Sequence, residues 1–428
     1  MNFLKNTVYN IFFRIMIEIC IINYGSNAAE YGIGTYIKEY VHCLLNIGCN
    51  VNLVELGVNS KLSEVSIKEE KGVRTFCIPY VPSENFAVYN KSVCRLLRLY
   101  LKDSSELIFH FHYQQSNSLL EKIKQYFPLS KSVLTVHYLY WSARFNGDLT
   151  EYKKVLRCKN YKHIKKNYQD VVTSYEQEKQ LIQSVDQVVC LSEDTYNLLK
   201  ELYGINTGKL TIIPNGLIPR QTSISIRKRC EIRKRFHLGL EERIILFVGR
   251  INPIKGIYPL LVAFSKIIEV DPLCRLVLIG DGDFAGVMKR VPYIVSKVTF
   301  TGRLDKKVLY QWYQIADLGV FPSYYEECSY VGIEMLMHGL PIVASDGYAV
   351  RNMFDERNAV IAPIGEYNKP EVFVSGLSRA LLTLLHSEQL LILKSRQALQ
   401  SYKEVYHSLH MQQKYSILFN KLYKQSIL

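Results

Sequence analysis

The amino-acid sequence predicts an α/β protein of two Rossmann-like domains facing each other across a cleft. Three observations carry this reading. Short β-branched and aliphatic runs recur through both halves of the chain, and helical stretches alternate with them, the pattern of parallel sheets covered on both faces. With 428 residues, of which 48% are hydrophobic, the chain has the length for two such domains and the apolar surface to fill their cores.

In the first half the strand-like runs are 15-IMIEICII-22, 51-VNLVEL-56, 107-LIFHFH-112, 133-VLTVH-137, 186-DQVVCLS-192 and 210-LTIIP-214. The second half repeats the theme with 244-IILFV-248, 276-LVLIG-280, 298-VTFTG-302, 318-LGVF-321 and 341-PIVAS-345. A helix over 35–47 carries Ile37, Tyr40, Val41, Leu44 and Leu45 on one stripe, with Gly48 as its stop. A second helix begins near Tyr258, with Pro259 in its first turn and Leu260, Leu261, Phe264 and Ile268 on one side. Pro, Asn, Gly and a basic helix between Pro214 and Glu242 separate the sheets. The expected domains are therefore 1–218 and 219–395, followed by a helical tail over 396–428.

Composition narrows the function classes. The apolar N-terminal stretch is broken by Arg14 and Glu18, short of the roughly 18 to 20 residues a membrane span needs, and no small-residue cleavage site follows. It reads as a buried first strand behind an amphipathic extension, with Met16 as an alternative start. The ten cysteines are scattered singly, without zinc spacing, as expected of reduced thiols in a cytoplasmic protein. A formal charge of +14 is concentrated in 153-KKVLRCKNYKHIKK-166 and 227-RKRCEIRKR-235. No nucleic-acid-binding motif flanks these stretches, so anionic lipid, phosphorylated ligands or plain solvent are the alternatives.

Two segments carry the chemistry. The loop 249-GRINPIKG-256 follows the strand 244–248, and ligands of doubly wound sheets bind beyond the carboxyl ends of the strands. Arg250 and Lys255 there can hold a diphosphate without a metal, one as a fork and the other as a point charge. In 322-PSYYEECSYVGIEMLMHGLPIVASD-346, Glu326 lies in a loop and Glu334 on the helix after it, so both are expected to face the crevice of Arg250. Carboxylates are strong acceptors for sugar hydroxyls. Cys328, Ser329 and Tyr330 are expected to form the first turn of that helix, whose free N–H groups favour a phosphate.

These residues resemble glycosyltransferase family 4, retaining enzymes of the GT-B fold. Gly249, Arg250, Lys255 and Gly256 match the family's Gly-Arg-x(n)-Lys-Gly element, and Glu326 and Glu334 match its Glu-x7-Glu element. The shorter matches 213-IPNG-216, 279-IGDG-282, 301-TGR-303 and 316-ADLGVFPS-323 extend the resemblance over most of the chain. It implies that Arg250 and Lys255 bind the donor diphosphate, that Glu326 contacts the donor sugar and that Glu334 holds the ribose hydroxyls. Members often have Gly-Phe-Gly after the first Glu, where this chain has Glu327, Cys328 and Ser329. In 31-YGIGTY-36, Gly32 and Gly34 would let backbone N–H groups approach the diphosphate or acceptor, while Tyr31 replaces a usual glycine. His137, at the end of 133–137, resembles the family's cleft histidine, with His110 and His112 as competitors and with Tyr138 and Trp141 as an aromatic acceptor platform.

The resemblance further implies transfer from a nucleoside-diphosphate sugar with retention of configuration and no metal or other cofactor. The 281-DGD-283 sequence reads as a turn rather than a metal motif. The expected partners are the nucleotide sugar, an acceptor that is a glycan, lipid-linked molecule, peptide or small metabolite, and an anionic membrane face; nucleic acid is not expected. The expected role is cell-surface glycan or glycoconjugate synthesis, in the cytoplasm or peripherally at the inner face of the membrane. The rival readings are an inactive GT-B nucleotide-binding scaffold, and an epimerase or phosphorylase on the same fold.

Overall fold

The computed structural model describes residues 17–24, 32–58, 64–79, 86–112, 117–157, 161–220, 222–367 and 369–424. Two sheets organise the chain. The first comprises β1 (Glu18–Tyr24), β2 (Asn50–Val58), β3 (Ser66–Glu70), β4 (Val73–Pro79), β5 (Leu107–Phe111), β6 (Lys131–Val136), β7 (Gln187–Cys190) and β8 (Leu210–Ile212), in the order β3-β4-β2-β1-β5-β6-β7-β8. Among the described residues only β3 runs antiparallel, on β4. The second comprises β9 (Arg243–Val248), β10 (Cys274–Ile279), β11 (Val298–Gly302), β12 (Leu318–Phe321), β13 (Ile342–Ser345) and β14 (Val360–Ala362). Its order is β11-β10-β9-β12-β13-β14, and every pairing is parallel.

Each sheet reverses its strand order once, between β1 and β5 in the first and between β9 and β12 in the second. A crevice opens beyond the carboxyl ends of the strands at such a switch point. In the second sheet, the residues that directly follow β9 and β12 lie at that point.

The apolar runs mark the central strands to within a few residues, and Val298–Gly302 and Leu318–Phe321 fall on their runs. Three strands lie outside the expectation. β3 and β4 form a hairpin through Lys71 and Gly72, both at positive φ (51° and 80°), the geometry of a two-residue hairpin turn. β3 sits at the sheet edge with an exposed Lys-Glu-Glu end, so it lacks the continuous apolar signal of a buried strand. β14 is only three residues long. The expected first strand begins at Glu18, and Ile15 and Met16 lie outside the described residues.

The first helix spans Gly32–Asn46 rather than 35–47, so Gly32 and Gly34 belong to its first turn and not to a loop ahead of it; Tyr31 lies outside the described residues. The expected start of the tail at 396 falls inside the helix Glu388–Ser401, which a π-turn at Tyr402–Tyr406 joins to the last helix, Ser408–Lys424. The last helix crosses back to pack on Gly32–Asn46, where the Tyr415 hydroxyl bonds that of Tyr36 and its ring lies 4.6 Å from Tyr40. Tyr406 O accepts from Leu217 N at 2.8 Å, and Ser408 N donates to Leu217 O at 3.1 Å, which ties the tail to the segment between the sheets.

One surface expectation changes. In the basic helix Ile226–Arg235, Arg229 and Arg233 both turn inward onto Asp317 at 2.7 Å, and Arg233 is buried. They fasten the helix to the second sheet, so only Arg227, Lys228, Lys234 and Arg235 remain as an exposed basic surface. Of the 153–166 stretch, residues 158–160 and the side chains of 161–167 lie outside the described residues. Among the described residues no helix is long and apolar enough to cross a membrane.

Candidate functional site

The loops 249–256 and 322–329 leave β9 and β12, the neighbouring strands at the second sheet's switch point. They are stitched together by backbone. Asn252 caps a 3-10 turn over Pro253–Lys255, and Gly256 ends it in the left-handed region at φ 69°. A Cβ on Gly256 would stand 2.0 Å from Pro322 O, and Tyr324 N donates to Ile254 O at 2.9 Å. That close approach brings the Lys255 ammonium onto the Glu326 carboxylate, with both side chains largely buried at 17% and 12% exposure. Ser323 Oγ donates to the same Glu326 oxygen at 3.1 Å.

Gly256→Ala combines left-handed strain with an overlap that only movement of a whole loop relieves. We expect it to lower stability by about 2 kcal/mol or more and to separate Lys255 from Glu326. Denaturant unfolding checks this, and a loss smaller than about 0.5 kcal/mol would mean that the two loops are not locked together.

Arg250 is exposed at the rim, and its side chain has no partner among the described residues. Gly249 holds φ 149° with its N–H on Ile279 O at 2.9 Å, and its own carbonyl leaves no room for a Cβ on Gly280. This packing aims the 249–256 loop past the end of β10. In 281-DGD-283, Asp283 caps the helix Phe284–Met288 by accepting from Gly286 N at 2.9 Å. Among the described residues no three His, Cys, Asp or Glu side chains are grouped to hold a metal ion.

Glu334 does not face the crevice openly. Its side chain is fully buried, held by the Lys306 ammonium and by the Tyr313 hydroxyl at 3.2 Å. Nor do the residues before it form the expected open turn. The helix is Tyr330–Met337 with Ser329 as its N-cap, and Ser329 N donates to Met353 Sδ at 3.2 Å. Cys328 is buried, and its carbonyl accepts from Asn215 Nδ2 at 2.5 Å. Tyr330 is also buried, under the first domain's helix, so neither side chain lines the crevice. The N–H groups ahead of the first intrahelical bond, Ile333 N to Ser329 O, are those of Tyr330, Val331 and Gly332.

Across the seam, the first domain presents an imidazole and phenol cluster. His110 is buried between Tyr40 (2.5 Å) and Thr135 (2.8 Å). His112 is buried with its Nδ1 3.3 Å from His137 Nε2, and its own Nε2 has no partner among the described residues. Of the three imidazoles His137 alone keeps some exposure, with its ring 4.6 Å from that of Tyr36. Burial lowers its pKa to about 3 and pushes those of His110 and His112 down as well, so the cluster is neutral at physiological pH. Gly32 is exposed, and a Cβ there would meet nothing within 4 Å. From the same helix, buried Glu39 accepts from Ile218 N at 3.1 Å; burial raises its pKa, and the nearby Glu334 charge adds to that. The helix bearing Gly32 and Gly34 thus reaches the neighbourhood of Glu334.

Trp141 does not belong to the open acceptor platform expected of it beside Tyr138. Trp141 is 1% exposed, with Tyr152 stacked at 5.3 Å and Tyr325 and Tyr348 of the second domain edge-on at 5.5 and 5.0 Å. It glues the domains together. Beside it lies a residue that motif reading leaves without a role: Glu327, buried, accepts from Thr195 at 2.6 Å, from Ser192 at 3.2 Å and from Tyr325. Asp194 continues the seam, accepting from Ala349 N at 2.9 Å and from the Arg351 guanidinium at 2.8 and 2.9 Å. Motif reading also misses Lys306, although its place is legible: in 305-DKK-307 an N-cap Asp precedes two lysines at the positive end of a helix.

Two family models match most of the chain: Glycosyltransferase Family 4 over residues 31–221, and Glycosyl transferases group 1 over 242–384. The chain belongs to glycosyltransferase family 4 and has the GT-B fold. A relative named as an uncharacterized glycosyltransferase of Methanocaldococcus jannaschii is 32% identical over 164 residues, which is 37% of this chain and 42% of the relative. The chain thus matches less than half the length of that relative. Among solved structures, sucrose-phosphate synthase from Thermosynechococcus elongatus superposes with TM-score 0.73 at 19% identity, covering 95% of this chain and 99% of that one. Anabaena HepE in complex with UDP-glucose gives TM-score 0.69 at 13% identity, covering 94% and 99%. At these identities the likeness is one of fold.

Proposed function

We propose that this family 4 protein transfers a sugar from a nucleoside-diphosphate sugar to an acceptor, with retention of anomeric configuration and without a metal. The observation that carries the proposal is the Lys255–Glu326 pair, held by backbone packing at the second sheet's switch point, with Arg250 on the same loop and unpaired among the described residues. A sugar nucleotide brings a diphosphate for the two cations and hydroxyls for the carboxylate. As the glycosidic bond to phosphate breaks, negative charge grows on the phosphate oxygens. Arg250, Lys255 and the free N–H groups at the start of Tyr330–Met337 would stabilise that charge with no reorganisation at the moment of reaction.

Glu326, already bonded by Lys255 and Ser323, is placed to accept from a sugar hydroxyl while its charge stays balanced. His137, neutral because it is buried, serves as a hydrogen-bonding group toward the sugar and not as an acid. The nucleotide bound by the structurally similar HepE supports the donor class, and we extend that class to this chain. An acceptor on the inner face of a membrane, and a role in cell-surface glycans, remain part of this reading; the contact would rest on Arg227, Lys228, Lys234 and Arg235.

A panel of UDP-, GDP- and ADP-linked sugars tests the proposal. One donor is expected to be hydrolysed slowly in the absence of acceptor, releasing the sugar with its original anomeric configuration by NMR, at a rate unchanged by a chelator. Binding without turnover of any of them would favour the scaffold reading. Inversion or chelator sensitivity would remove the mechanism.

A further inference from the structure

Glu334 is fully buried, yet one of its partners is not. Tyr313 is itself buried, whereas the Lys306 side chain is 55% exposed while its ammonium contacts Glu334 Oε1. The lysine can swing its four-carbon stem into water without stranding its charge. Its position makes leaving easier still. Lys306 opens the helix Lys306–Ile315 directly after the N-cap Asp305, whose carboxylate accepts from Val308 N at 3.0 Å and leaves a counter-charge one residue away when the ammonium parts from Glu334.

A ribose offers two vicinal hydroxyl donors, and an ionised carboxylate accepts two or more hydrogen bonds. We propose that Lys306 and the ribose hydroxyls of a nucleotide compete for the Glu334 carboxylate, so that the lysine sets how tightly a nucleotide is held by swinging out as the ribose arrives. The inference rests on the donor-site reading above. It makes Lys306 an affinity-setting residue that opposes binding, the reverse of what a cation beside an anionic ligand ordinarily does.

The test is calorimetric titration of the full chain with UDP, GDP, ADP and inorganic pyrophosphate. Lys306→Met removes the competitor, and Lys306→Gln replaces it with a neutral, weaker donor, in case the methionine variant folds poorly. Lys306→Met is expected to bind the accepted nucleotide about tenfold tighter than the wild type, Lys306→Gln tighter by a smaller factor, and Glu334→Gln about tenfold weaker. Pyrophosphate, which has no ribose, should bind all four proteins within about twofold. Weaker nucleotide and pyrophosphate binding in the Lys306 variants would make the lysine an ordinary phosphate contact and overturn the inference. Unchanged nucleotide affinity would overturn it as well. If the wild type binds none of the three nucleotides, the donor-site reading itself falls and takes this inference with it.

Discussion

Lys255→Ala and Arg250→Ala are each expected to reduce sugar transfer a hundredfold or more while leaving the chain folded. The size follows from what each cation does, because a fixed donor facing a growing phosphate charge contributes on the order of 3 kcal/mol to the barrier. The two substitutions reach that loss differently. Arg250 is exposed and its side chain has no partner among the described residues, so its removal touches nothing that holds the fold. The thermal midpoint of Arg250→Ala should stay at the wild-type value.

Lys255 shares its carboxylate partner with Ser323, so Lys255→Ala leaves Glu326 with a single hydrogen bond at 12% exposure. A modest fall in stability is therefore expected alongside the kinetic loss. Lys255→Ala/Glu326→Gln, which removes the stranded charge, should recover the stability and not the turnover. Initial rates with the donor found in the panel, read beside thermal unfolding, check both. Turnover within about threefold of wild type in either single variant would remove the two cations from the mechanism.

What the sequence discloses and what it hides divide along one physical line. Apolar runs report which segments are buried, and so they place β9, β11 and β12 with little error. The same signal is absent from β3, an edge strand whose charged end faces water, and too short to read in β14. Spacing also locates the loops that carry Lys255 and Glu326, because residues directly after β9 and β12 must gather at the switch point between those strands. Pairing is what spacing cannot supply. Nothing in Glu-x7-Glu says that Glu334 lies under Lys306, since that contact joins two separate helices.

Trp141 shows the same limit from the apolar side. An aromatic residue after a strand end suits an acceptor platform or a domain interface equally well, and only the arrival of Tyr325 and Tyr348 from the other domain decides it. The basic helix misleads in the opposite direction. Charge counting treats Arg229 and Arg233 as surface, yet Asp317 lies between the ends of both and draws them in. Polar residues become legible when their partners are known, and those partners are far away in the chain.

Glu327→Gln is expected to stabilise the protein above neutral pH and to leave it unchanged in acid. Burial raises the Glu327 carboxyl from its ordinary 4.5 to about 7, against hydrogen bonds from Thr195, Tyr325 and Ser192 that lower it, and Asp194 adds a further upward push. A carboxyl whose folded pKa is raised binds its proton more tightly in the fold. Its contribution is therefore fully present below about pH 4.5 and is lost as pH climbs toward 7, at about 1.4 kcal/mol per pH unit and about 3 kcal/mol in all. Glutamine is neutral throughout and suffers no such loss.

The three hydroxyls around it can each turn a proton toward or away from an amide, so the substitution leaves no group stranded. The buried imidazoles of His110, His112 and His137, which lose stability as pH falls below about 6.5, and Glu178, raised to about 7 by its own burial, act equally in both proteins and cancel in the difference. Thermal unfolding of the pair from pH 4 to 9 should show a gap that opens between about 4.5 and 7 and then stays constant. A gap of one size at every pH would mean that Glu327 is charged in the seam throughout. The Thr195 and Ser192 hydroxyls would then be holding a carboxylate, and its removal should loosen the two domains rather than tighten them.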